Sequence, residues 1–305
     1  MRRAAANIPD SIRAQLLAIS RACGEDPNAV LRRYCQERLL FRIGQSDLGK
    51  HLYLKGGMLL VTYGLPAPRA TIDIDFLARD ISNQAEGLRT MFAEAALVPC
   101  PEDGVVFDTD HIGTEPMKGH VGVTLKLPTH LGSARLPVSV DVAFGDVVCK
   151  GLLTQVPTLL ACIPAPTVLA YSLDSAVAEK FEAMVHWGLD NSRFKDFFDV
   201  WYLARNREFS MKELHTAITL TFDCRSTPLS RRSTVFDPAF ASSKDRQQGW
   251  HAWTTRTSLT APATFSEVMK GIVQFLEPVC HDPIDNTQWN PGLGQWISSP
   301  APLAE

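Results

Sequence analysis

Long apolar runs are missing from this 305-residue sequence. None approaches the ~20 residues that a membrane-spanning helix needs, so no span is expected. The N-terminus, MRRAAANIPDSIRAQLLAIS, is basic but lacks the continuous apolar stretch of a secretory signal. Ordered cysteine spacing is missing too. The seven cysteines (Cys23, Cys35, Cys100, Cys149, Cys162, Cys224, Cys280) are odd in number and never form a C-x-x-C pair, which argues against a disulfide framework and a zinc site. Reduced thiols in a soluble, cytoplasmic protein without a membrane partner are the resulting expectation. Charge imbalance is also slight. At a formal net charge of −3 nothing global announces a nucleic acid, and any anionic ligand has to be met by a local patch.

What is present is an ordinary globular composition, long enough for one large domain or two modest ones. Residues 9–43 read as two helices, each with an early proline and a late glycine (Pro9 to Gly24, Pro27 to Gly44). From 51 to 150 strand-like stretches dominate: TIDIDFLA, GVVFD, HVGVTLKLP and LPVSVDVAFGD, with a helix at ISNQAEGLRTMFAEAAL and a short apolar run with a glycine pair at HLYLKGGMLLVTYG. After 150 strands become rare, and TVLAYSLDSAVAEKFEAMVHWGL, RFKDFFDVWYLARN and TFSEVMKGIVQFLEPV read as helices, with a proline-broken loop at 225–245. The resulting scheme is N-terminal helices over 1–44, an α/β core with a short mixed sheet over 45–150, a helical C-terminal domain over 151–285 and a flexible tail over 286–305.

The chemistry-bearing residues fall in four places. Asp73 and Asp75 stand at i and i+2 of a strand, so both carboxylates leave one face while Ile72, Ile74 and Phe76 take the core face. Two like charges so close repel unless a cation lies between them, and Mg²⁺ suits carboxylate oxygens and phosphates. Taken as a bare D-x-D, the pair is better explained by an amphipathic edge strand with two surface aspartates. Gly56 and Gly57 follow LYL, where a tight turn into a helix can present N–H groups to a phosphate. Asp141, between Val140 and Val142, becomes a third carboxylate if its strand pairs beside the first. Lys180 lies on a helix, and Arg193, Lys195, Asp196 and Asp199 cluster beyond the break at GLDN; solvated helix pairs such as Lys195 with Asp199 are the plainer alternative. His111, His120 and His130 fit no helix-based metal spacing.

Taken in order, YLKGGMLL…RATIDIDF followed by EKFEAM…RFKDFFDVW resembles the AbiEii/AbiGii toxin family of nucleotidyltransferases. That family belongs to the DNA polymerase beta-type superfamily, has the MenT toxins as relatives, and supplies toxins of toxin–antitoxin and phage-defence systems. The resemblance covers about residues 30–205, with DPAFASSKDRQQGWHAW…FLEPV similar to the family's C-terminal region. It implies a polymerase beta-type core that moves NMP from an NTP to an RNA, by family habit a tRNA 3′ end, which blocks translation. It also implies a two-Mg²⁺ site and a cognate antitoxin; the chain itself is expected to be a monomer. On this footing Asp73, Asp75 and Asp141 are the metal set, and Lys55, Gly56, Gly57 and Thr71 form the nucleotide-gripping turn. Lys180 meets the triphosphate and Asp196 is the aspartate of the last motif, with Asp199 as the alternative register. Met58 stands where many members carry a serine, which leaves Lys55 or Thr71 to grip. A protein or small-molecule acceptor, or a non-catalytic regulatory module of the same fold, are the alternatives.

Overall fold

The structure is a computed structural model describing residues 7–64, 71–117, 119, 121–257 and 259–298. The chain divides into two compact units: Met1–Gly145 with Gly151–Tyr171, and Asp146–Lys150 with Ser172–Glu305.

The first unit opens with α1 (Ile8–Cys23) and α2 (Pro27–Gly44), each with proline in its first turn and a side-chain cap from Asn7 or Asp26. The chain then runs through β1 (Leu52–Lys55), α3 (Gly56–Thr62), β2 (Asp73–Ala78) and α4 (Ala85–Ala96). Next come β3 (Val105–Phe107), β4 (Gly113–Pro116), β5 (Gly122–Leu127), β6 (Thr129–Leu131), β7 (Ala134–Arg135) and β8 (Val138–Ala143). Last are β9 (Gly151–Gln155) and β10 (Thr167–Tyr171). Seven strands form one mixed sheet in the order β4-β5-β8-β2-β1-β10-β9; β3, β6 and β7 form a small second sheet. The β2/β8 and β1/β10 pairs are parallel and the other neighbours antiparallel.

Two expectations change here. The helices of residues 1–44 belong to the same compact unit as the sheet, and the unit runs past residue 150 to Tyr171 because β9 and β10 complete that sheet. Thr167–Tyr171 joins the following helix without proline or glycine, so its apolar run reads as helix; the boundary is Ser172, whose hydroxyl accepts from Ser175 N at 3.2 Å.

The irregular stripe of α2 also has a cause: its buried face carries Gln36, Glu37, Arg38 and Arg42 besides Val30, Leu31, Tyr34 and Leu39. Arg42 pairs with buried Asp103 at 2.6 Å. Gln36 donates to Ile72 O at 2.9 Å and so fixes the entry to β2. Burial pushes the Glu37 carboxyl up to about 7, although it accepts from Leu159 N at 3.0 Å and lies 3.5 Å from Arg33. Between the ordinary value of 4.5 and about 7 the folded chain therefore holds a proton that the unfolded chain lacks. Its contribution to stability is full below the lower value and disappears as pH rises through the upper one, a change of roughly 3 kcal/mol. Glu37→Gln mimics the protonated form, so its urea midpoint should stay level between pH 5 and 8 where the parent's falls. Parallel declines in both proteins would assign the effect elsewhere.

The second unit is built on α5 (Leu173–Trp187), α6 (Phe194–Asn206), β11 (Phe209–Ser210), α7 (Met211–Cys224), α8 (Arg232–Phe236), α9 (Pro238–Ser242), α10 (Lys244–Thr257) and α11 (Phe265–Leu276). The 225–245 stretch expected as loop thus holds two short helices, the second started by Pro238 under an Asp237 cap. The tail expected to be flexible carries β12 (Thr287–Asn290), which pairs with β11, and β13 (Gln295–Ser298), which pairs with β12. Trp289 and Trp296 explain this: their indole N–H groups donate to Ala204 O and Phe275 O, and their rings lie 5.4 Å apart. Aromatic burial outweighs the proline and glycine content. Arg225 ties the 146–150 segment into this unit through Asp146, Glu179 and Glu182 at 3.0, 3.3 and 2.8 Å.

Candidate active site

Strand β2 alternates as the sequence suggests. Ile74 and Phe76 are fully buried, while Asp73 and Asp75 stand half-buried on the opposite face. Ile72 departs from the expectation: it precedes the strand and is 63% exposed. Parallel pairing with β8 sets Asp75 beside Asp141 and Asp73 beside Ser139. Antiparallel pairing sets Lys55 of β1 across from Asp75, and Thr124 of β5 across from Asp141. Side chains at directly paired positions share a face, so Thr124, Asp141, Asp75 and Lys55 form a row across four strands. Lys55 Nζ extends the row to β10, lying 5.5 Å from the centre of the Tyr171 ring. Side-by-side carboxylates cost sheet stability, which is a reason to look for function in this row.

The glycine pair lies against this face. Gly56 has φ +64°, and a Cβ there would meet Asp75 Oδ2 at 2.0 Å; one on Gly57 would meet Thr71 Oγ1 at 1.8 Å. Only glycine lets the backbone come this close to both side chains. Met58 is 2% exposed, so its side chain belongs to the core and adds no group to the turn.

The other polar cluster lies within the second unit. Lys180 Nζ on α5 is 2.8 Å from Asp196 Oδ1 and 2.7 Å from Asp199 Oδ2, both on α6. Arg193 Nε reaches Asp196 Oδ2 at 2.7 Å. Both aspartates are buried. Burial opposes ionisation of Asp196, but the Lys180 ammonium and Arg193 guanidinium overcome it and hold its carboxyl well below the usual range. The turn joining the two helices is clamped by Arg246, which donates to Leu189 O at 2.6 Å and Asn191 O at 2.8 Å. Asp196 and Asp199 are therefore joint partners of one lysine, where the sequence offered them as alternatives.

Several anticipated groups are otherwise engaged. Arg33 pairs with Glu37 and Arg193 with Asp196, so both cations carry intramolecular partners. His111 binds Asp108, His130 lies in β6, and His120 lies outside the described residues. Thr124 was not singled out in the sequence, although the alternation of GVTLKL puts it on the polar face of its strand.

Asp73, Asp75, Asp141, Ser139 and Thr124 present oxygen atoms to one face, a donor chemistry that fits a hard divalent cation. Among the described residues no three acidic, histidine or cysteine side chains converge into a preformed metal cage. No helix of the described residues is long and apolar enough to cross a membrane.

The family description "nucleotidyl transferase AbiEii toxin, Type IV TA system" matches residues 38–271. Among solved structures the fold is similar to MenT4, a nucleotidyltransferase toxin from Mycobacterium tuberculosis, at 19% identity and a TM-score of 0.60 over 86% of this chain and 89% of that one. JHP933 from Helicobacter pylori matches at 14% identity and a TM-score of 0.45, over 83% of this chain and 97% of that one. No curated protein matches the sequence significantly.

Proposed function

This chain belongs to the AbiEii family of type IV toxin–antitoxin nucleotidyltransferases, and from that premise we propose that it transfers NMP from an NTP to the 3′ end of an RNA, a tRNA above all. The hydroxyl oxygen of the acceptor attacks the α-phosphorus; a new P–O bond forms, the bond to pyrophosphate breaks, and the hydroxyl proton leaves. The observation that carries the reading is the register that aligns Asp73, Asp75 and Asp141 on one face beside the glycine turn. These carboxylates would hold Mg²⁺. When bound, a pair of such ions neutralises charge on the attacking and leaving oxygens of an in-line displacement. Asp141 is assigned to the acceptor side, where its carboxylate draws the hydroxyl proton away. Gly56 and Gly57 bring backbone N–H groups toward phosphate, with Lys55 and Thr71 as the adjoining side chains.

Lys180 is assigned to the β- and γ-phosphates, whose charge rises as pyrophosphate departs. Asp196 and Asp199 hold its Nζ in place. A tRNA with a blocked end cannot be aminoacylated, so translation stops; the cognate antitoxin restrains the toxin, in keeping with a role in phage defence within the cytoplasm.

The test is to incubate the protein with each α-labelled NTP, with and without total tRNA, with Mg²⁺ or with EDTA. Label should enter RNA only when Mg²⁺ is present. Transfer should also weaken steeply with salt, since binding to a polyanion releases counterions. Label on protein or on a small molecule would favour the other acceptors, and no transfer from any NTP would overturn the reading.

A further inference from the structure

The geometry points to Thr124 as a positioning residue for the acceptor-side carboxylate, acting through Asp141; this rests on the nucleotidyl-transfer reading above. Thr124 stands on β5 directly opposite Asp141. Its neighbours Val123 and Leu125 are buried on the other face, so the alternation commits the threonine to the carboxylate face. The hydroxyl donates to Asp141 Oδ1 at 2.6 Å. A hydroxyl bonded to an ionised carboxylate makes a short, charge-assisted hydrogen bond of more than ordinary strength. Threonine is stiff at χ1, so the strand backbone itself sets the direction of the hydroxyl. The bond therefore transmits the position of β5 to the carboxylate plane of Asp141.

Asp75 packs against Gly56, and Asp73 lies beside Ser139 on β8. Thr124 faces the Asp141 member of the set. A carboxylate with one oxygen hydrogen-bonded in this way presents its remaining lone pairs in a fixed direction, which is the service that outer groups give to metal ligands.

Valine is the informative replacement, because it keeps the β-branch and the shape and removes only the hydroxyl. Binding of Mn²⁺ to the nucleotide-free protein, read by calorimetry, should weaken by ~10-fold in Thr124→Val, at the low end of the effect of losing a ligand-orienting partner. Thr124→Ser should return it to within ~2-fold of the parent, since it restores the donor. At saturating Mn²⁺ the variant's kcat should fall while KM for NTP holds. In an Asp141→Asn background, Thr124→Val should cost nothing more, because its effect passes through that carboxylate. If Thr124→Val melts early, Thr124→Ala and Thr124→Ser decide the matter: equal loss in both overturns the assignment, and recovery in serine alone supports it. The two readings fail separately. Parent-like transfer and Mn²⁺ binding in Asp141→Asn would sink the nucleotidyl-transfer site. Loss in Asp141→Asn with parent-like behaviour in Thr124→Val would sink only the role of Thr124.

Discussion

Asp75→Asn is expected to lower nucleotidyl transfer by at least ~10³-fold, about 4 kcal/mol of transition-state stabilisation, while leaving the fold as stable as before or slightly more so. The stability half of the claim comes from the sheet. Asp75 is paired with Asp141 across β2 and β8, and like charges at directly opposed positions destabilise. Asparagine keeps the shape beside Gly56 and removes one of the two charges. The catalytic half comes from the same change: a neutral amide gives up the attraction for a divalent cation that the carboxylate row supplies. A gain in melting temperature together with a loss of single-turnover transfer distinguishes a site residue from a structural one, because structural aspartates lose both together. Transfer within tenfold of the parent protein would remove Asp75 from the chemistry.

How much of this was readable in one dimension depends on how far apart the interacting residues lie. The period-2 pattern of TIDIDF is local, and it correctly places Ile74 and Phe76 in the core and both aspartates opposite. That Asp141 lies beside Asp75, and Lys55 across from it, is a matter of strand register over gaps of tens of residues. Spacing alone made the former a conditional expectation and left the latter unseen. Thr124 escaped for the same reason, since its meaning depends on pairing with β8. The helix α2 was legible as a helix but not as a carrier of buried charge. Arg42 is explained by Asp103 and Val105 O, 61 and 63 positions away in sequence. The hairpin at 287–298 was hidden by composition. Proline and glycine suggested a loose tail, whereas the packing of Trp289 and Trp296 edge-on to each other and around Phe275 is a tertiary effect. In the helical unit, Asp196 and Asp199 looked like two candidates for one place because i and i+3 positions share a helix face. Their joint bond to Lys180 is visible only once α5 and α6 are set side by side.

That joint bond gives Lys180 two roles, and Lys180→Met should reveal both. The substitution takes away the ammonium shared by two carboxylates that are 1% and 0% exposed. Breaking a buried ion pair from one side typically costs ~3–5 kcal/mol, so the melting temperature should fall by many degrees along with activity. Acid makes the structural part separable. In the parent protein Asp196 titrates well below its ordinary value of 3.8 against the opposing effect of burial, with Lys180 as the strongest favourable influence. A depressed carboxyl stabilises the fold above its unfolded value, and that stability is lost as pH falls through the folded value. Without Lys180 the depression shrinks, so the acid-unfolding midpoint of Lys180→Met should move to higher pH. Adding Asp199→Asn removes one of the charges left behind, and should restore part of the melting temperature and of the acid tolerance. It should not restore transfer, because the cation assigned to the triphosphate is still missing. Recovery of transfer in the double variant would mean that Lys180 serves the fold alone; parent-like melting of the single variant would mean that the ion pair carries no stability.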